Sequence, residues 1–427
     1  MTSTCFRNAT ILDGTGAAPY AGDLLVDGNR IAAVLPPGRA PATPAGQVIE
    51  CNGATLMPGL IEPHAHLSFV DQASPMAFHA IPVEEHLLLT LKHAKLYLDC
   101  GFTACFSAAA TKPRLDIVAR NAIDAGQFPG PRMLAASVQF TVTGGVGDLR
   151  RMHLDPGEAM YTLPCDGPDE FRRAAREACR EGVDVLKIVP SGDTSTPDIP
   201  SARTTMTDAE IAAVCDVARS HGRVVAAHAR SADSIKMCVR NGVQVIYHAT
   251  CADDEARDLL EAHKDTVFVA PALSVTWTRL HEAGKYGLPS TDQMKARIQR
   301  DLDLTIECMI DLKHRGVRVL PGGDYGFKWN PHGNNARDLT YFVDLLGFTP
   351  MEALVGATKL GGEIMGKGHE LGQVRAGYLA DLLLVDGNPL TNLRLLEDRD
   401  RLLMIMKDGV LHKQPPSHDA ARQRGAA

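Results

Sequence analysis

Five short apolar runs spread along this chain each end in a side chain that can ligate a metal once its protonation state allows. ATLMPGLIEPHAH ends on His64 and His66, DVLKIV carries Lys187, RVVAAHA delivers His228, VQVIYHAT delivers His248, and RVLPGGD closes on Asp324. Apolar, β-branched runs of this length read as buried strands. An imidazole, ammonium or carboxylate at a strand's end escapes the core that the rest of the strand fills. His64 and His66 stand two positions apart, on one face of an extended segment.

Segments with helical spacing separate these runs, such as DEFRRAAREACREG from Asp169 and DAEIAAVCDVARSHG from Asp208, each closed by a glycine suited to a helix C-cap. Strand followed by helix, repeated, means parallel βα units. GFTACFSA near Thr103, RMLAASVQF near Ala135 and VFVAPAL near Val269 bring the strand count to eight. The expected architecture is α/β, a (β/α)8 TIM-type barrel, with residues 59–368 forming it. Barrel enzymes gather their chemistry at the C-terminal ends of several strands, where this chain puts its His, Lys and Asp.

The flanks read differently. Residues 1–58 and 369–427 hold short strands with Asp-Gly turns, and LLVDGN occurs both at Leu24–Asn29 and at Leu383–Asn388. Two distant ends with one pattern are expected to share a small β-sandwich, and the final PPSHDAARQRGAA is expected to fray.

At 427 residues and 45% hydrophobic content, the chain is long enough to bury a large core. The net charge of -7 and the lack of Lys/Arg runs argue against a nucleic-acid partner. No apolar stretch approaches the roughly 20 residues that span a bilayer, and the first residues lack a signal-peptide core. Ten cysteines without a CxxC pair suit reduced thiols. A soluble, cytoplasmic protein without a membrane partner is therefore expected.

On these residues the chain resembles the amidohydrolase superfamily, in the binuclear branch that uses a carboxylated lysine. The resemblance runs over essentially the whole length, through PGLIEPHAH, VLKIV, AAHAR, IYHAT and PGGDYG, and through ALVGATKLGGEIMG and GYLADLLLVDGNPL near the C-terminus. Within the superfamily it is similar to bacterial prolidase-like Xaa-amino-acid carboxypeptidases and to ochratoxin-hydrolysing amidohydrolases. The branch implies a homo-oligomer, such as an octamer.

The residue types suit that chemistry. Neutral imidazoles bind zinc and its neighbours, and an HxH pair can grip one ion from one strand. An unmodified lysine has donors only, so Lys187 becomes a ligand only as a carbamate, N6-carboxylysine, made with carbon dioxide. His64, His66 and Asp324 would hold one divalent ion and His228 and His248 a second, with Lys187 bridging and zinc the expected metal. A metal-bridging hydroxide would attack, with Asp324 as general base and then acid.

Loops after the same strands supply candidate substrate residues. In related proteins a histidine often stands within GGHGD, where this chain has Val146, and His153 is the candidate to replace it. Arg230 stands where related carboxypeptidases often have tyrosine, and suits a substrate carboxylate; an ion pair with Asp233 is its plainer role. SVTWTRLHEAGKYG offers Trp277, and YGFKWNPHGNNARDL offers Tyr325, Trp329 and His332, a lid for an aromatic group. The expected reaction on a small-molecule substrate is cleavage of the amide bond of N-acyl-L-amino acids or dipeptides. An aromatic residue such as Phe would be released, with ochratoxin A a substrate. The alternatives are a cyclic-amide hydrolase of the imidazolonepropionase, dihydroorotase or hydantoinase type, or a metal-free structural relative without activity.

Overall fold

The computed structural model describes residues 3–40, 46–153, 161–196 and 198–415, so the expected fraying beyond Pro415 lies outside the described residues. The barrel strands form where the apolar runs place them. In order they are Leu60–Ala65, Phe102–Ser107, Arg132–Leu134 with Ala136–Thr141, Val185–Ile188, Val224–Ser231, Val245–Cys251, Phe268–Ala270 and Arg318–Val319, each paired in parallel with its neighbours.

The third strand is split. Arg132–Leu134 pairs with Phe102–Ser107, whereas Ala136–Thr141 pairs with Val185–Ile188, so a three-stranded and a seven-stranded sheet meet at Ala135. An additional short strand, Thr162–Pro164, lies along Ala136–Thr141. The hydrogen-bond ladder is open between Arg318–Val319 and Leu60–Ala65. Side chains nevertheless close that seam: a Cβ on Gly322 would fall 2.8 Å from Pro63 Cγ and 3.1 Å from His64 Cβ. Glycine lets the eighth strand's end lie against the first.

Helices flank these strands for readable reasons. Pro168–Glu181 buries Phe171, Ala174, Ala175 and Cys179 along one stripe and ends at Gly182. Asp208–His221 opens with a capping box between Thr207 and Glu210 and ends at Gly222, whose φ of 63° suits glycine. Among the described residues no helix is long and apolar enough to cross a membrane. All ten cysteines are free thiols, and all but Cys251 are buried.

Both flanks enter one eight-stranded sheet, in the order 410–413, 402–407, 382–385, 55–58, 3–11, 20–27, 30–35, with 47–50 paired to 3–11. It is one continuous sheet with a core of its own, including Phe6, Leu24, Ile31, Leu56, Leu382 and Met404. Along the strands nearest the barrel the alternation of strand side chains is put to use. Leu56, Leu382, Leu384, Met404 and Met406 face that core, whereas Met57, Leu383, Leu402 and Ile405 join the barrel core.

Candidate active site

The six metal-competent side chains converge. His64 Nε2 lies 3.8 Å and His66 Nε2 3.2 Å from Asp324 Oδ1, and one atom from each of the three residues falls within 4.8 Å of the others. The rings of His228 and His248 have centroids 4.4 Å apart, and His248 lies 5.4 Å from His64, joining the two groups. Lys187 is 1% exposed, and its Nζ stands 4.0 Å above the centroid of the Tyr247 ring. Tyr247 stacks on His64 and donates its hydroxyl to the Pro63 carbonyl, so one aromatic fixes both neighbours.

Backbone carbonyls set the imidazole tautomers. His66 Nδ1 contacts the Ala109 carbonyl at 3.0 Å and His228 Nε2 contacts that of Gly192 at 3.1 Å. A carbonyl only accepts, so each of those nitrogens carries a proton, and in a neutral ring the lone pair then falls on the other nitrogen, His66 Nε2 or His228 Nδ1. Burial pushes His228 down to about 4 and His64 and His248 well below the ordinary imidazole range, so all three are neutral at pH 7. Burial favours a neutral Asp324, but His64, His66 and Lys187 outweigh it and hold the carboxylate ionised. His66 Nε2 therefore stands beside a buried carboxylate oxygen that has no hydrogen-bond partner. A cation between them resolves that contact, and the donor set fits a divalent metal.

The backbone here is strained. Asp324, His248 and Ala249 have φ of 57°, 75° and 49°, a region that non-glycine residues enter at a cost of about 1 kcal/mol or more each. The turn at Asp324 is pinned by Asn330, which donates to the carbonyls of Gly323 and Asp324, and by Asp338, which accepts from the Gly322 and Ser274 amides.

A cavity of about 730 Å³ opens over the cluster, lined by the six residues together with Arg230, Trp329 and Val146. Arg230 is 4% exposed; its Nη1 donates to Thr250 Oγ1 at 2.9 Å, and its Nε lies 3.4 Å from Asp193. The plainer expectation for Arg230 fails, because Asp233 pairs with Lys236 instead. Four other expected substrate residues lie off the cavity. Tyr325 is fully buried with its hydroxyl toward the Asn335 carbonyl, and His332 turns inward to the Phe69 carbonyl and the His93 ring. Trp277 packs on His281 and Tyr341, and His153 is exposed to solvent. With φ of 57° at Asp324 and 118° at Gly326, the chain turns so that Phe327 and Trp329 reach the cavity while Tyr325 and His332 do not.

Several residues at or beside the site gave no motif in the sequence. Asp193 follows the fourth strand by five positions and faces both His228 and Arg230, and the Arg230 charge outweighs its burial and keeps it ionised. Its place in a loop after a barrel strand was the available signal. Phe69 and Arg279 also line the cavity. Behind it, Glu62 accepts from the His64 amide and from Asn335, and burial pushes its carboxyl up to about 8.

The Amidohydrolase family model matches residues 55–411 of this chain. The chain belongs to the amidohydrolase family. Ochratoxinase of Aspergillus niger is 26% identical to it over 382 residues, covering 84% of this chain and 76% of that protein. A prolidase solved in complex with N-methylphosphonate-L-proline superposes with a TM-score of 0.86 at 27% identity, covering 97% of this chain and 100% of that one. A Xaa-Pro dipeptidase with methionine in its active site gives a TM-score of 0.84 at 25% identity, covering 96% and 100%. This amidohydrolase is a hydrolase, and His64, His66 and Asp324 form a group able to hold a metal ion.

Proposed function

We propose that this amidohydrolase cleaves the amide bond of N-acyl-L-amino acids or dipeptides and releases an aromatic residue, using two divalent ions, zinc by preference. The observation that carries the reading is His66 Nε2 standing 3.2 Å from ionised Asp324 beside the His228–His248 pair. Ions held there supply Lewis-acid polarisation of a carbonyl and lower the pKa of water.

The remaining roles belong to the chain's own side chains. Burial lowers the Lys187 ammonium to about 7, so a large fraction is neutral amine at physiological pH. The amine nitrogen adds to carbon dioxide and releases one proton, giving a carbamate whose two oxygens serve as ligands. Asp324 takes the proton of the attacking water and passes it to the leaving nitrogen. Arg230, held by Thr250 and Asp193 next to His228, takes the carboxylate adjoining the scissile bond in this reading. Phe327 and Trp329 stack with centroids 4.8 Å apart and offer an aromatic wall. The names of the ochratoxinase, prolidase and dipeptidase relatives support an amide substrate.

The test is metal content per chain with turnover of N-acyl-L-amino acids, dipeptides, ochratoxin A and cyclic amides, in wild type and Lys187→Ala. Two ions per wild-type chain, and linear-amide cleavage that Lys187→Ala abolishes, are expected. Cleavage confined to cyclic amides overturns the substrate class, and absence of both metal and turnover overturns the reading.

A further inference from the structure

Arg279 lies on the helix Leu273–His281 that follows the seventh barrel strand, and its side chain lines the same cavity as the His, Lys and Asp cluster. Its guanidinium carbon stands 5.6 Å from the centroid of the Trp329 ring. Nη2 donates to the Pro289 carbonyl at 2.9 Å and lies 3.1 Å from the Met294 sulfur, whereas Nη1 is sealed in the wall without an acceptor.

Charge sets this arginine apart from others that are partly buried. Arg120 pairs with Asp184, Arg132 with Asp408, Arg257 with Glu307 and Arg337 with Glu282. Arg230, in the same cavity, is offset by Asp193. Arg279 has no carboxylate partner among the described residues, and burial lowers its pKa with no opposing neighbour. A partly buried guanidinium that lines a cavity without a carboxylate partner gains a charge-assisted contact when an anion enters beside it. The wall leading there is apolar, from Val275, Leu288, Phe327 and Trp329.

We propose that Arg279 recognises a second anionic group of the substrate, carried at the end of an aromatic or apolar arm remote from the scissile bond. The preferred substrates are then dianionic N-acyl amino acids. One carboxylate adjoins the amide within reach of Arg230, and the other sits at Arg279. This rests on the amide-hydrolase reading for the first carboxylate only. A competing role is mechanical: the two Nη2 contacts would latch the segment Pro289–Met294 over the cavity, with no preference for charge.

Ligands that cannot be hydrolysed separate these roles and do not depend on turnover. Isothermal titration of the metal-loaded protein with 3-(4-carboxyphenyl)propionate and with its isosteric 4-carbamoyl analogue measures the value of the second charge. Wild type is expected to bind the diacid about tenfold or more tightly, as a charge-assisted hydrogen bond allows. Arg279→Gln should bring that ratio to about one while leaving the carbamoyl ligand's affinity unchanged, and Arg279→Lys should keep part of it. Circular dichroism checks that each variant folds. A wild-type ratio near one, a ratio that survives in Arg279→Gln, equal weakening of both ligands, or no binding of either overturns the proposal. Failure of linear-amide turnover with the ratio intact overturns the reaction and leaves the anion site standing.

Discussion

At the scale of single residues, Asp324 combines a left-handed φ, full ionisation in a buried setting and an oxygen without a hydrogen-bond partner. Each of these costs stability in a protein without a cation, and one bound cation offsets the electrostatic part. Asp324→Asn keeps the shape and removes the charge, so metal content at the His64–His66 position should drop and kcat should fall about 10²- to 10⁴-fold, the usual range for a lost acid–base group. Atomic emission analysis and steady-state kinetics check this, and unchanged metal content with near-normal kcat would sink the assignment. The residues of this cluster were legible because they interrupt apolar runs at strand ends. The substrate residues were less legible because loops carry no period. Trp277 and Trp329 look equivalent in sequence, yet Trp277 packs on Tyr341 while Trp329 reaches the cavity. No motif marks Asp193, Glu62 or Asp116, since burial of a loop or strand-end acid depends on contacts far along the chain.

At the scale of elements, the barrel depends on a buried carboxylate that spans two strands. Asp116 Oδ2 accepts from Ser107 Oγ at the end of the second strand and from the Ala136 amide at 3.5 Å, where the third strand resumes. Burial raises its pKa from 3.8 to about 6. A raised pKa means that the folded state holds a proton that the unfolded chain has released. Its stabilising contribution is therefore full below about pH 4 and is lost as pH rises through about 6. The span corresponds to on the order of 3 kcal/mol. Asp116→Asn keeps the accepting oxygen without a titrating group, so wild type should lose stability relative to the variant between pH 4 and pH 7. Denaturant midpoints at these two pH values measure it, and an equal difference at both contradicts the account. The strand positions were legible from apolar runs; the division at Ala135 and the open seam at Gly322 were not. Hydrophobic pattern reports which face is buried, whereas register and ladder continuity follow from how neighbouring strands stagger.

At the scale of the whole molecule, the two chain ends are parts of one load path into the barrel. The repeated LLVDGN segments pointed to a shared sheet, and they lie in it with 55–58 and 3–11 between them. Asn29 joins the ends directly, accepting from the Ala380 amide and donating to Asp408. In the strand Leu402–Lys407, Leu402 and Ile405 fill the barrel core while Met404 and Met406 fill the sheet's own core, and all four are 0% exposed. At about 1.5–3 kcal/mol for each fully buried side chain, that strand carries on the order of 6–12 kcal/mol. A whole domain has only about 5–15 kcal/mol in reserve, so the strand's share decides whether the molecule folds. A chain ended after Asp400 should therefore be recovered insoluble or without a cooperative thermal transition, even with excess zinc, although every metal ligand is retained. Soluble, metal-loaded and active truncated protein would show that the barrel stands without the shared sheet. In that case the apolar side chains at 57, 383, 402 and 405 would have to be replaceable by solvent, which their complete burial on both faces argues against.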